Sequence, residues 1–170
     1  MAIVVVLLLP LTFSHRTGKV HWNELTAFAI LGVITLWMTI SLALLVKGMA
    51  AHTESPMGLL LSAGTLWWTN ILVFASWYWR LDAGGPNARD RRDSHTDGAF
   101  LFPQMTIEGD KDSWTPGFVD YLFLAFNTST AFSPTDAPVL SRWAKILMMT
   151  QSSISLATLA LLAARAVNIL

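Results

Sequence analysis

Twenty-two consecutive residues, Leu25 to Val46, carry no charge, and twenty-three more follow between Met57 and Trp79. A bilayer core is ~30 Å thick and an α-helix rises ~1.5 Å per residue, so either run is long enough to cross it. A third uncharged stretch, Ile146 to Ala164, lies near the C-terminus. The chain is expected to be an all-α integral membrane protein. Spans of this length confine any function to work within or across a lipid bilayer.

Between the runs the punctuation is that of helix ends. Gly48 can stop the first helix, and Ser55-Pro56 starts the next by N-cap and first-turn proline logic. The second run ends in Trp77-Tyr78-Trp79-Arg80, an aromatic and basic collar suited to the membrane–water boundary. Residues 81–117 form the one extended hydrophilic segment, with eleven charges and a sharp turn at Gly84-Gly85-Pro86. Within it, Phe100–Met105 is apolar again and is expected to dock back against the membrane face.

Residues 118–132 are apolar but only fifteen in number, too short to span, and Ser133-Pro134 ends them. A helix of that length followed by a proline turn suits a re-entrant piece that dips in and returns. The expected organisation is one transmembrane domain over 1–170. It comprises a short apolar N-terminal helix (1–13), long helices at 25–46 and 57–80, the loop at 81–117, the re-entrant helix at 118–132 and a final helix at 140–170. Residues 1–13 lack the basic start and small-residue site of a signal peptide and read as a membrane-inserted helix, with a cleaved signal or a half-buried anchor as alternatives.

Several chemistries are excluded or unsupported. Cysteine is absent, which rules out disulfides, thiol nucleophiles and thiolate metal sites. Eleven basic residues balance eleven acidic ones, leaving no field to attract nucleic acid. Asp90, Asp93, His95 and Asp97 have the spacing of a divalent-ion site, but Arg89, Arg91 and Arg92 neutralise them, and a solvated mixed-charge loop is the better reading. The four histidines fall in links or loops, so none suits haem ligation in mid-membrane. No catalytic triad, carboxylate pair, phosphate loop or nucleotide fingerprint is visible. A non-enzymatic protein with no cofactor beyond lipid contacts is expected.

Residues that hold helices together are better represented. Asn70 and Gln151 are amides inside apolar runs, and interhelical hydrogen bonds from such groups are worth ~1 kcal/mol each. Ser153 and Ala157, then Ala160 and Ala164, repeat at four-residue spacing, with Ser152, Ser155 and Thr158 nearby. The second helix offers Gly58, Ser62 and Gly64. Small residues let backbones approach closely, so these faces predict packing of the final helix on the second, or on a partner. Asp120, in the first turn of the short helix, complements its dipole or pairs with Arg142 or Lys145. Asp136 caps the final helix or lines a pore mouth.

Five blocks resemble a family of uncharacterised bacterial multi-pass membrane proteins: Trp77–Asp82 with Gly84-Gly85-Pro86, Phe100–Gln104, Asp120–Phe126, Thr130–Asp136 and Ala163–Leu170. The resemblance implies a multi-pass protein of the cell inner membrane and carries no activity with it. A weaker likeness in layout is to potassium-channel pore domains, which places Ala131–Thr135 at the filter. A potassium filter needs glycine conformations that side chains disfavour, and this segment has no glycine and a fixed proline. A wider pore lined by Thr130, Ser133, Pro134, Thr135 and Asp136 is the form that layout would take. Nine of the eleven Lys and Arg residues flank the 14–23 link, the 81–117 loop and the turn before the final helix. By the positive-inside rule that side is cytoplasmic. Two functional expectations follow: an accessory subunit packed against other membrane subunits, or a pore-loop channel made of copies of the chain.

Overall fold

The computed structural model describes residues 20–51, 55–91, 98–107, 114–130 and 137–169. The expected helix over 1–13 lies outside them. Five α-helices are described: α1 (Val20–Ala51), α2 (Pro56–Leu81), the single-turn α3 (Pro86–Arg89), α4 (Phe118–Thr130) and α5 (Arg142–Ile169). Stretches within α1, α2 and α5 are long and apolar enough to cross a membrane. The fold is all-helical, with short 3-10 turns at Asp82–Gly84 and Pro103–Thr106 and one isolated antiparallel bridge, Phe100 with Val139.

The boundaries depart from the charge-free windows in a consistent way. Helix α1 begins five residues before Leu25 and runs through Gly48 to Ala51. Polar residues end a membrane span without ending a helix, because backbone hydrogen bonding continues into the headgroup region. The start of α2 follows the sequence: Ser55 accepts from the Gly58 N–H at 3.1 Å and Pro56 occupies the first turn. Helix α5 starts at Arg142 rather than at 140, because Ser141 is its cap: the Ser141 Oγ accepts from the Ala144 N–H at 3.3 Å.

Helix α2 is the centre of the molecule. Its most extensive contacts are with α5, then α4, then α1. From Asn70 to Tyr78 it is buried on most of its circumference. Among its described side chains, helix α1 buries a narrow stripe, Ala27, Leu31 and Met38, while Val33, Leu36, Trp37, Ile40 and Leu44 face outward. That pattern suits a helix with one protein neighbour and lipid elsewhere.

The short helix stops halfway. Phe118 meets Trp79 near the end of α2, with ring centroids 5.7 Å apart, and Phe126 meets Trp67 at 5.9 Å. Helix α4 therefore runs antiparallel to α2 and reaches only the middle of the Met57–Trp79 run. The expected short helix is present over 118–130, and residues 131–136 lie outside the described part of the chain.

The turn after α2 is tight and strained. Ala83 has φ +49°, Gly84 φ +82° and Gly85 φ +88°. A Cβ on Gly85 would stand 2.8 Å from the Arg80 carbonyl oxygen. Gly64 has nothing within 4 Å of such a Cβ. Gly85→Ala is therefore expected to cost about 1–3 kcal/mol, while Gly64→Ala, in mid-helix, should be neutral or slightly stabilising. Unfolding midpoints of the two variants in detergent micelles check the contrast, and equal midpoints would contradict it.

Candidate functional site: two buried polar knots around the short helix

A helix leaves its last four carbonyls without intrahelical partners, and where they are buried water cannot satisfy them. Helix α4 meets this problem with side chains. The Asn127 carbonyl accepts from the Thr130 hydroxyl at 3.0 Å, that of Thr128 from Ser152 at 3.3 Å, and that of Ser129 from Ser155 at 2.5 Å. Two of the three donors belong to α5.

Gln151 stands at the centre of this knot and is fully buried. Its amide nitrogen donates to the Ala125 carbonyl at 2.7 Å and to Ser129 Oγ at 2.8 Å, while its Oε1 accepts from the Tyr78 hydroxyl at 2.5 Å. One side chain thus ties α5 to α4 and to α2. Asn70, also fully buried, donates to the Gln151 backbone carbonyl at 3.3 Å, and its own Oδ1 has no hydrogen-bond partner among the described residues. Both amides singled out in the sequence therefore lie between helices, with Gln151 carrying most of the bonds.

The small-residue stripe takes a different place from the packing on α2 that the sequence suggests. Ser153, Ala157, Ala160 and Ala164 are exposed on α5, and Ser153 bonds back to the Met149 carbonyl at 2.9 Å. The buried face is Ala144, Gln151, Ser155 and Thr158. The reason is that the buried Gln151 amide and Ser155 hydroxyl meet partners on α4 and α2, whereas small apolar side chains lose little by facing outward. On α2, Ser62 is exposed and Gly58 half-buried, so neither supports a close α2–α5 contact.

The second knot lies at the loop end of α4, and the sequence reading missed its central residue. Asp82, the C-cap of α2, is fully buried. Its Oδ1 accepts from the Ala99 N–H at 2.5 Å and its Oδ2 from the Tyr121 hydroxyl at 2.6 Å. Arg89 donates to the Asp82 backbone carbonyl at 2.7 Å and lies 5.1 Å from the Tyr121 ring centroid. With 4% of its surface exposed, Arg89 is a buried residue and not part of a solvated charge run. The Gly84-Gly85-Pro86 turn folds it back under α2, a reversal that charge counting cannot register.

Around Asp82 the loop closes an aromatic cluster. Phe100 is fully buried against Tyr78 (5.3 Å), Tyr121 (6.2 Å) and Trp143 (6.1 Å), and Phe102 against Tyr121 (5.3 Å) and Trp114 (5.5 Å). Two backbone bonds, Leu101 N–H to Pro138 and Leu140 N–H to Ala99, pin the loop to the chain leading into α5. The expected docking of Phe100–Met105 is thus against side chains of α2, α4 and α5. Asp120 accepts from the Gly117 N–H at 2.7 Å and closes the start of α4. Ser133, Pro134, Thr135 and Asp136 lie outside the described residues, as do Asp93, His95 and Asp97; Thr130, the last residue of α4, is half-buried. Among the described residues no group of three or more His, Cys, Asp or Glu side chains forms a metal site.

The fold and its two knots define a helical protein with three helices of membrane-crossing length and one half-length helix locked between two of them. No protein-family model matches the chain, and no curated protein or solved structure does so either.

Removing the Gln151 amide leaves the Tyr78 hydroxyl and Ser129 Oγ without their buried partner. Gln151→Leu is expected to destabilise the protein by about 2–3 kcal/mol. Asn70→Leu gives up one long bond and also removes an unsatisfied oxygen, so its cost should stay below about 1 kcal/mol. Unfolding by a denaturing detergent, followed through tryptophan fluorescence, measures both; an equal or reversed order would refute the assignment of Gln151 as the central tie.

Proposed function

We propose that the chain is a non-catalytic subunit that packs within a larger assembly in the cell inner membrane, with the 81–117 side in the cytoplasm. The observation that carries this reading is the outward stripe on α5. Ser153, Ala157 and Ala160 recur on the face turned away from the chain's own polar contacts. Lipid competes equally well for leucine, so small residues at four-residue spacing favour close approach by another helix. The half-length helix adds support: backbone at membrane depth is tolerated where protein or a water-filled cavity covers it, and a single copy surrounds α4 only in part, leaving Val119 and Phe123 exposed.

A second reading is favoured by the carbonyl end of α4 lying at mid-span beside α5. The long helix, loop, half helix and long helix are then one subunit of a pore built from identical chains, without potassium selectivity. Its negative dipole end would favour cations.

Native mass measurement of the full chain extracted in mild detergent separates the two. Unlike membrane subunits that co-purify support the accessory role, and Ala157→Leu should then reduce their recovery several-fold with the unfolding midpoint unchanged. A stable oligomer of identical chains overturns it in favour of the pore. In that case Asp136→Asn should change conductance or cation preference in planar bilayers, and absence of current from either form would end the pore reading.

A further inference from the structure

On the flank of α4 that faces the loop, a cavity of about 250 Å³ is bounded by Asp120, Phe123, Leu124 and Asn127 from the helix and by Phe102 and Gln104 from the loop. The four helix residues follow one another at i, i+3, i+4 and i+7, so the cavity runs along a single stripe of α4. Exposed Pro103 and Phe123 form its rim.

The polar atoms around this cavity are unspent. One Asp120 oxygen holds the Gly117 N–H, and the other takes no hydrogen bond among the described residues. The side-chain amides of Gln104 and Asn127 take none either, and the Gln104 Oε1 is shielded from solvent without a partner. Buried polar groups in native proteins nearly always find a partner, so the orphaned Gln104 Oε1, beside the half-buried Asp120 carboxylate and Asn127 amide, points to something that fills the space.

We infer that this cavity binds a small organic cation, a primary ammonium on a short apolar body. The single carboxylate with no basic residue in the lining selects positive charge. A primary ammonium carries three donors and no acceptor, which matches Asp120 and the two amide oxygens. Phe102 and Phe123 line the same space and supply aromatic surface to the charge, and Leu124 takes the alkyl part. A hard metal ion fits less well, because half of the wall is apolar and such ions require six or more oxygens. The volume lies below the ~300–1,000 Å³ of drug-sized sites, so the ligand is compact.

Titration calorimetry of the full chain in zwitterionic-lipid nanodiscs, with n-butylammonium as probe and n-butanol as neutral control, tests the site. Empty nanodiscs correct for partitioning. Saturable binding is expected for the ammonium and not for the alcohol. Asp120→Asn keeps an oxygen for the Gly117 N–H and removes the charge, so affinity should fall about tenfold or more while the unfolding midpoint holds. Gln104→Leu should weaken binding several-fold. Equal binding of alcohol and ammonium, no saturable ammonium binding, or affinity unchanged in Asp120→Asn would each overturn the proposal.

Discussion

The structure turns on how one short helix ends against the flanks of two long apolar ones. A spanning helix delivers its unpaired groups to the headgroup region, where water meets them. Helix α4 delivers its carbonyls to the level of Trp67, and there the chain itself supplies Thr130, Ser152 and Ser155 as donors. Gln151 adds bonds to two helices at once. Because every donor sits on α4 or α5, the half helix has one permitted depth. Shifting α4 by a single turn would strand several carbonyls, each at a cost of a few kcal/mol in a medium without water.

The Asp82 knot does at the mouth what Gln151 does at depth. A carboxylate with one oxygen on the Ala99 N–H and the other on the Tyr121 hydroxyl joins the end of α2, the returning loop and the first turns of α4. Tyr121 and Ser129 lie eight residues apart on the buried side of α4, and each is held by a polar partner from a different element. Between them Leu124 and Ala125 pack as ordinary core. Polar contacts thus specify the position of α4, while aromatic rings fill the space around its upper half.

Much of this was legible in the chain. Charge-free run lengths locate the three long helices, since burial in lipid leaves few other options, and the shortness of 118–132 marks the short one. Ser55-Pro56 announces its own cap. Asn70 and Gln151 stand out because an amide in an apolar run must find a partner. The orientation of α5 was not legible from its small residues, which fit either face. The deciding signal was Gln151, Ser155 and Thr158 at i, i+4 and i+7: hydroxyls on the same face as the amide point to the side where polar partners are waiting. Asp82 and Arg89 were hidden for another reason. They sit in a charged segment, and only the left-handed turn at Ala83–Gly85 brings Arg89 back to the Asp82 carbonyl.

The turn and the two knots draw together segments that lie far apart in the sequence. Tyr78, Asp82 and Gly85 come from the end of α2 and its turn, Phe100 and Phe102 from the loop, Tyr121 and Ala125 from α4, and they share one cluster of hydrogen bonds and ring contacts. Constraint is concentrated where a polar atom has no water to fall back on, and that condition, more than hydrophobicity, decides which residues of such a chain admit replacement.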